Sequence, residues 1–175
     1  MEAIIYLIKY AAVVLSCIAL ALICAFRSEI YQWLKSGIQR KKIIYGCEAR
    51  GDAHEPYLTR FIIFYGKKLK IYFHKFHRSD AVDLHDHPWN FVSIILWRGY
   101  MEEVPDGSAP GYRKQKRIWP GMIIYRAAHH AHRVVLLNDK PAYTLVFVSK
   151  YVRQWGFFTS RGWMNYKNYF TEKGC

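Results

Sequence analysis

Two histidines separated by a single residue, His85 and His87 in Asp83-Leu84-His85-Asp86-His87-Pro88-Trp89, have a spacing suited to metal chemistry. In an extended strand, residues i and i+2 project from the same face, so two such imidazoles can grip one ion from one side. A third ligand has to come from elsewhere. The segment Ala127-Ala128-His129-His130-Ala131-His132 supplies three candidates, His129, His130 and His132. Three neutral imidazoles suit iron(II), zinc, nickel or manganese and leave positions open for water or a substrate. Asp86 lies next to His85 and should face the other way, which disfavours a histidine–carboxylate facial triad. His74 and His77 read as strand or surface residues, able to fix an imidazole tautomer from behind. His54 reads as loop.

Around such a site a small set of side chains is placed for substrate. Arg126 precedes His132 by an even number of residues, so in a regular strand both point to one interior. A guanidinium there needs an anion: a substrate carboxylate or phosphate, or a core carboxylate such as Asp83 or Glu102. Trp89 and Trp155 are candidate pocket walls, and Arg153, in Arg153-Gln154-Trp155-Gly156-Phe157-Phe158, is a further substrate-binding candidate. No glutamate beside the ligands offers an obvious general base.

The elements that must position these residues read as strands. Apolar and aromatic runs at 59–65, 70–76, 89–100, 121–126, 132–137 and 143–150 are separated by turn residues, including Trp119-Pro120-Gly121 and Asn138-Asp139-Lys140. No helical pattern of βαβ length interrupts them, so the expectation is a sandwich, jelly roll or small barrel. Arg113, Lys114, Lys116 and Arg117 read as a solvated basic loop after Pro110-Gly111, and 162–170 is ambiguous between strand and helix.

Laid over these runs, the chain resembles the cupin superfamily, in particular small single-domain bacterial and phage cupins. The first cupin motif, G-x5-H-x-H-x3–4-E-x6-G, fits His85 and His87 and ends on Gly99; the second, G-x5-P-x-G-x2-H-x3-N, starts on Gly121 and places its histidine on His132. The resemblance therefore selects His132 as the third ligand. It implies a mainly β cupin-type double-stranded β-helix, a jelly-roll barrel, over residues 51–175. The departures are informative. The motif glutamate falls on Val92, leaving three histidines as in thiol dioxygenases, and the motif proline, glycine and asparagine fall on Ala127, His129 and Leu136. The function implied is a metal-dependent enzyme, dioxygenase-like with iron(II), acting on a small and perhaps anionic substrate. The alternative is a non-catalytic ligand-binding or sensor module. Cupins often pair, so a homodimer is expected.

Residues 1–27 read as a transmembrane helix: 4–26 is almost wholly apolar, with Lys9 near one end able to snorkel. No small-residue cleavage pattern closes the run. Residues 28–50 read as a basic juxtamembrane amphipathic segment, with Arg27, Lys35, Arg40, Lys41 and Lys42 placing the following domain in the cytoplasm by charge bias. The chain carries 26 basic and 13 acidic residues, which suits a lipid bilayer as partner. No recognition motif supports a nucleic-acid partner. Four cysteines without CxxC or regular spacing argue against a disulfide framework and for a reducing compartment.

Overall fold

The computed structural model describes residues 2–107 and 111–175, and the chain divides into two units, Met1–Ile38 and Gln39–Cys175. The first unit is one helix, α1 (Glu2–Lys35), 34 residues long with none buried. Its best 18-residue window has a mean hydropathy of 2.4, so it is long and apolar enough to cross a membrane by length and composition. No glycine or proline interrupts the chain before Gly37, and the helix accordingly continues past residue 27 to Lys35. The basic segment at 28–50 is thus not one element. Its first part completes α1, and its second part begins the β unit.

That unit runs β1 (Lys41–Tyr45), β2 (Pro56–Tyr65), β3 (Lys70–Phe76), β4 (Leu84–His85), β5 (Phe91–Trp97) and β6 (Tyr100–Pro105). It continues with β7 (Arg113–Ile118), β8 (Ile123–Arg126), β9 (Arg133–Val135), β10 (Ala142–Val148), β11 (Gly156–Thr159), β12 (Gly162–Asn165) and the short helix α2 (Tyr166–Lys173). Six strands form one antiparallel sheet in the order β1-β2-β3-β10-β5-β8, and two three-stranded sheets, β7-β6-β9 and β12-β11-β4, complete the unit. This is the mainly β, jelly-roll architecture expected. Among the described residues the sheets are not hydrogen-bonded into a continuous ring, so the architecture is an open jelly roll and not a closed barrel.

Period-two alternation decides what faces inward. On β10, Ala142, Thr144, Val146 and Val148 are buried while Tyr143, Leu145 and Phe147 are only partly so. Ile95, Tyr100, Ile118, Ile124, Val134, Leu136 and Ala142 make one buried cluster, and Tyr72, Val146 and Val148 a second. On the outward face, cross-strand register lines up Phe61, Phe73, Leu145, Ile94 and Ile123.

Both motif glycines sit where the backbone needs them. Arg98 and Gly99 have φ of 66° and 70°, the two positive-φ positions of a tight hairpin between β5 and β6. Pro120 and Gly121 (φ 86°) occupy the central positions of a turn in which the Met122 N–H donates to the Trp119 carbonyl.

Three sequence expectations change. The basic stretch 113–118 is strand β7, paired with β6 so that Lys116 lies opposite Glu102 and Gln115 opposite Glu103. Residues 162–170 divide into β12 and the start of α2, whose N-cap Asn165 accepts from the Lys167 N–H. Cys47 and Cys175 form a disulfide, against the expectation of none. Disulfides persist in oxidising compartments, so this bond also opposes the cytoplasmic placement.

Candidate metal centre

Three imidazoles converge because two chain segments are stitched together beneath them. His85 ends β4 and makes an isolated antiparallel bridge with His132. Each donates its backbone N–H to the other's carbonyl at 2.9 Å. The N–H of His87 donates to the Ala128 carbonyl at 2.9 Å, anchoring the next residue pair to the same segment. The ring centroids of His85, His87 and His132 lie 5.0 Å apart in all three pairings. One ligand atom from each lies within 4.8 Å of the others, and the Nε2 atoms of His87 and His132 are 2.8 Å apart.

That spacing fits a shared ion. Two nitrogens held at about 2.1 Å from one metal, at right angles, are roughly 3 Å apart. Burial, the larger cause, pushes the pKa of His85 down to about 4, and burial together with its histidine neighbours holds His87 well below the ordinary range. Both rings are therefore neutral at pH 7, the protonation state a metal requires.

The outer support is a buried carboxylate. Glu102 on β6 accepts from Nδ1 of His132 at 2.8 Å, which turns Nε2 of that ring toward the other two histidines. Arg126 on β8 donates to both oxygens of Glu102, from Nε at 2.9 Å and from a terminal nitrogen. Burial pushes the Glu102 pKa up, but the His130, His132 and Arg126 groups around it outweigh this and hold it far below the usual carboxylate range. His130 Nε2 lies 3.6 Å from Glu102, so these two and His132 form a second group of metal-type donors behind the first. His129 is exposed.

Asp86 faces away from the two histidines that flank it, as its position between them requires. It is 1% exposed and accepts from the Gly156 N–H, the Trp163 indole and Arg153. It thus fastens the 153–156 segment, β11 and β12 behind the site. Val92 shares no face with the inward residues Ser93 and Ile95, so β5 brings no carboxylate to the three histidines. Phe91 faces inward instead, its ring 4.8 Å from that of His87.

The histidines open onto a cavity of about 600 Å³. Trp89 and Trp155 line it. Arg126 and Arg153 do not line it. Each is committed to a buried carboxylate, Glu102 and Asp86 respectively, which for Arg126 is the core-carboxylate alternative that the sequence allowed. Cavity residues that sequence reasoning left out include Arg60 on β2 and Tyr57, which is hydrogen-bonded to Asp80; His74, read as a strand or surface residue, is buried on β3 across from Arg60.

No family model and no curated protein matches the chain. Solved structures similar to it include a cupin-2 domain from Rhodospirillum rubrum, 14% identical, covering 61% of this chain and 68% of that one with a TM-score of 0.48. Others are KdgF from a Halomonas species, 21% identical over 56% and 84% of the two chains (TM-score 0.44), and FeII HppE, 13% identical over 64% and 60% (TM-score 0.47).

Proposed function

We propose that this chain is a membrane-anchored, metal-dependent cupin-type enzyme, dioxygenase-like, that acts on a small anionic molecule. The observation that carries the reading is the convergence of His85, His87 and His132, with no carboxylate among them, on the wall of a cavity large enough for a small molecule. Iron(II) is the metal we propose, with zinc, nickel or manganese as the alternatives an all-imidazole donor set accepts. A divalent ion bound there supplies Lewis acidity and, if iron, a centre for one-electron chemistry with oxygen.

The chain's own residues do the rest. Glu102 holds the His132 ring through Nδ1, and Arg126 keeps Glu102 ionised. Phe91, Tyr72 and Val148 line the cavity beside the histidines and keep the site apolar and dry. Asp80, the carboxylate facing the cavity, accepts from the Tyr57 hydroxyl and from the Val134 N–H at 2.6 Å, and so is held in place as a positioning group.

α1 provides the bilayer anchor in this reading. The homodimer that the resemblance implies would cover the apolar outward face of the six-stranded sheet. The test is metal content by elemental mass spectrometry on untagged protein, followed by oxygen consumption with small carboxylic acids. Near-stoichiometric iron with oxygen uptake supports the reading. No metal after anaerobic reconstitution overturns it and leaves a ligand-binding module.

A further inference from the structure

Arg60 enters the cavity from β2, and among the described residues it has no acidic partner. It lies directly opposite His74 of β3 in the strand register, and both residues line the cavity that the three histidines share. Its Nε donates to Nε2 of His74 at 3.0 Å. Its guanidinium carbon lies 4.7 Å from the centre of the Tyr72 ring, and Tyr72 in turn stacks on His74 with an interplanar angle of 11°. One edge of the fork is therefore fixed and its plane is supported. Among the described residues, no carboxylate pairs with it and its terminal nitrogens have no hydrogen-bond partner.

Other arginines of this unit differ. Arg126, Arg133 and Arg153 each reach a carboxylate. Asp80, the carboxylate of the cavity wall, is engaged by Tyr57 and Val134. His74 does not neutralise Arg60: it is 7% exposed, and burial followed by the guanidinium itself holds its pKa well below the ordinary range. It acts as a neutral acceptor that orients the arginine. A guanidinium half-withdrawn from water, oriented and without a counter-ion is costly unless a ligand completes it. Its free edge presents two parallel donors, the geometry that recognises two oxygens of one oxyanion.

We propose that Arg60 is the anion subsite of the cavity, binding the carboxylate or a related oxyanion of a small ligand whose other end reaches His85, His87 and His132. The second half of that statement rests on the proposed metal function; the first half does not.

The experiment uses the full chain in nanodiscs, freed of metal so that the histidine site contributes no direct anion ligation. Ligand-observed NMR reads the binding of propionate, methylphosphonate and, as the uncharged control, 1-propanol. Propionate binding with at least about a tenfold preference over propanol is expected, falling by a similar factor in Arg60→Met and partly kept in Arg60→Lys. Methylphosphonate binding more tightly than propionate would assign the subsite to phosphorus oxyanions. Equal binding of propionate and propanol by the wild type overturns the subsite, and that comparison stands even if Arg60→Met does not fold. Unchanged propionate binding by a folded Arg60→Met also overturns it. Metal content is measured separately on both proteins. Metal loading without anion preference sinks the subsite alone, whereas anion preference without metal loading sinks the metal reading alone.

Discussion

His85 and His132 face each other across an isolated β-bridge, exchanging both backbone hydrogen bonds at 2.9 Å, so the two ligands are fixed by main chain before any metal arrives. Removing a side chain at either position leaves that bridge intact, since neither N–H nor carbonyl is touched. A His85→Ala/His132→Ala double variant is therefore expected to keep the β-rich circular dichroism spectrum while its metal content falls from near one equivalent to roughly a tenth or less. Elemental mass spectrometry beside the spectrum checks this. Loss of the spectrum together with the metal would show the histidines to be structural.

Glu102→Gln should separate metal affinity from stability. The amide still accepts from His132 Nδ1 but carries no charge, so metal affinity is expected to drop by roughly 10–100-fold. It also leaves the Arg126 guanidinium uncompensated, at a cost of about 3 kcal/mol for breaking a buried pair. Glu102→Gln/Arg126→Met should recover much of the lost stability and none of the lost affinity. Urea midpoints and competitive chelator titrations measure the two quantities independently.

Acid should destabilise the metal-free protein well above the range where carboxylates titrate. His85 has its pKa lowered, chiefly by burial, from 6.5 unfolded to about 4 folded. His74 and His87 are lowered for the same first reason. Below pH 6.5 the unfolded chain takes up protons that the folded one refuses, so stability falls as pH falls. Each such histidine contributes about 1.4 kcal/mol per pH unit, which for His85 amounts to roughly 3 kcal/mol by pH 4. Urea midpoints at pH 7, 6 and 5 should decline steadily, and His85→Gln should flatten the slope. A midpoint that stays constant over that range would exclude neutral burial of these rings.

Isolated without reductant, the protein should show two free thiols, Cys17 and Cys24, and two more after reduction, from Cys47 and Cys175. Alkylation followed by intact-mass measurement counts them. Four free thiols before reduction would instead favour the side of the membrane that the basic residues after α1 indicate.

The histidine site was legible because its geometry is local. Parity placed His85 and His87 together and Asp86 apart from them, and the glycine frames of two motifs met at Gly99 and Gly121, where the backbone has positive φ. Arg126 shows where parity stops being enough. The sequence weighed an anionic ligand against a core carboxylate such as Glu102, and only the β6–β8 geometry chose Glu102. Arg60 left one trace, a lone charge in the run Leu58-Thr59-Arg60-Phe61-Ile62, but its position opposite His74 depends on strand pairing. Arg113-Lys114-Gln115-Lys116-Arg117, now β7, has no apolar period and by sequence reads as loop. It is a strand because the carboxylates of β6 meet it across the sheet. The pairing of Cys47 with Cys175, 128 residues apart, has no local signal at all.

That same pairing sets how the molecule carries tension. A pull between α1 and the carboxyl end would enter the β unit at Gln39, run along residues 39–47 and leave through the disulfide to Cys175. Once β1 has peeled from β2, the nine residues span about 30 Å, while the ring of chain between the two cysteines, which holds every strand from β2 onward and the whole histidine site, stays off the covalent load path. Reduction would put that ring in series with the pull, so the disulfide decides whether a tug on the ends of this chain reaches the site.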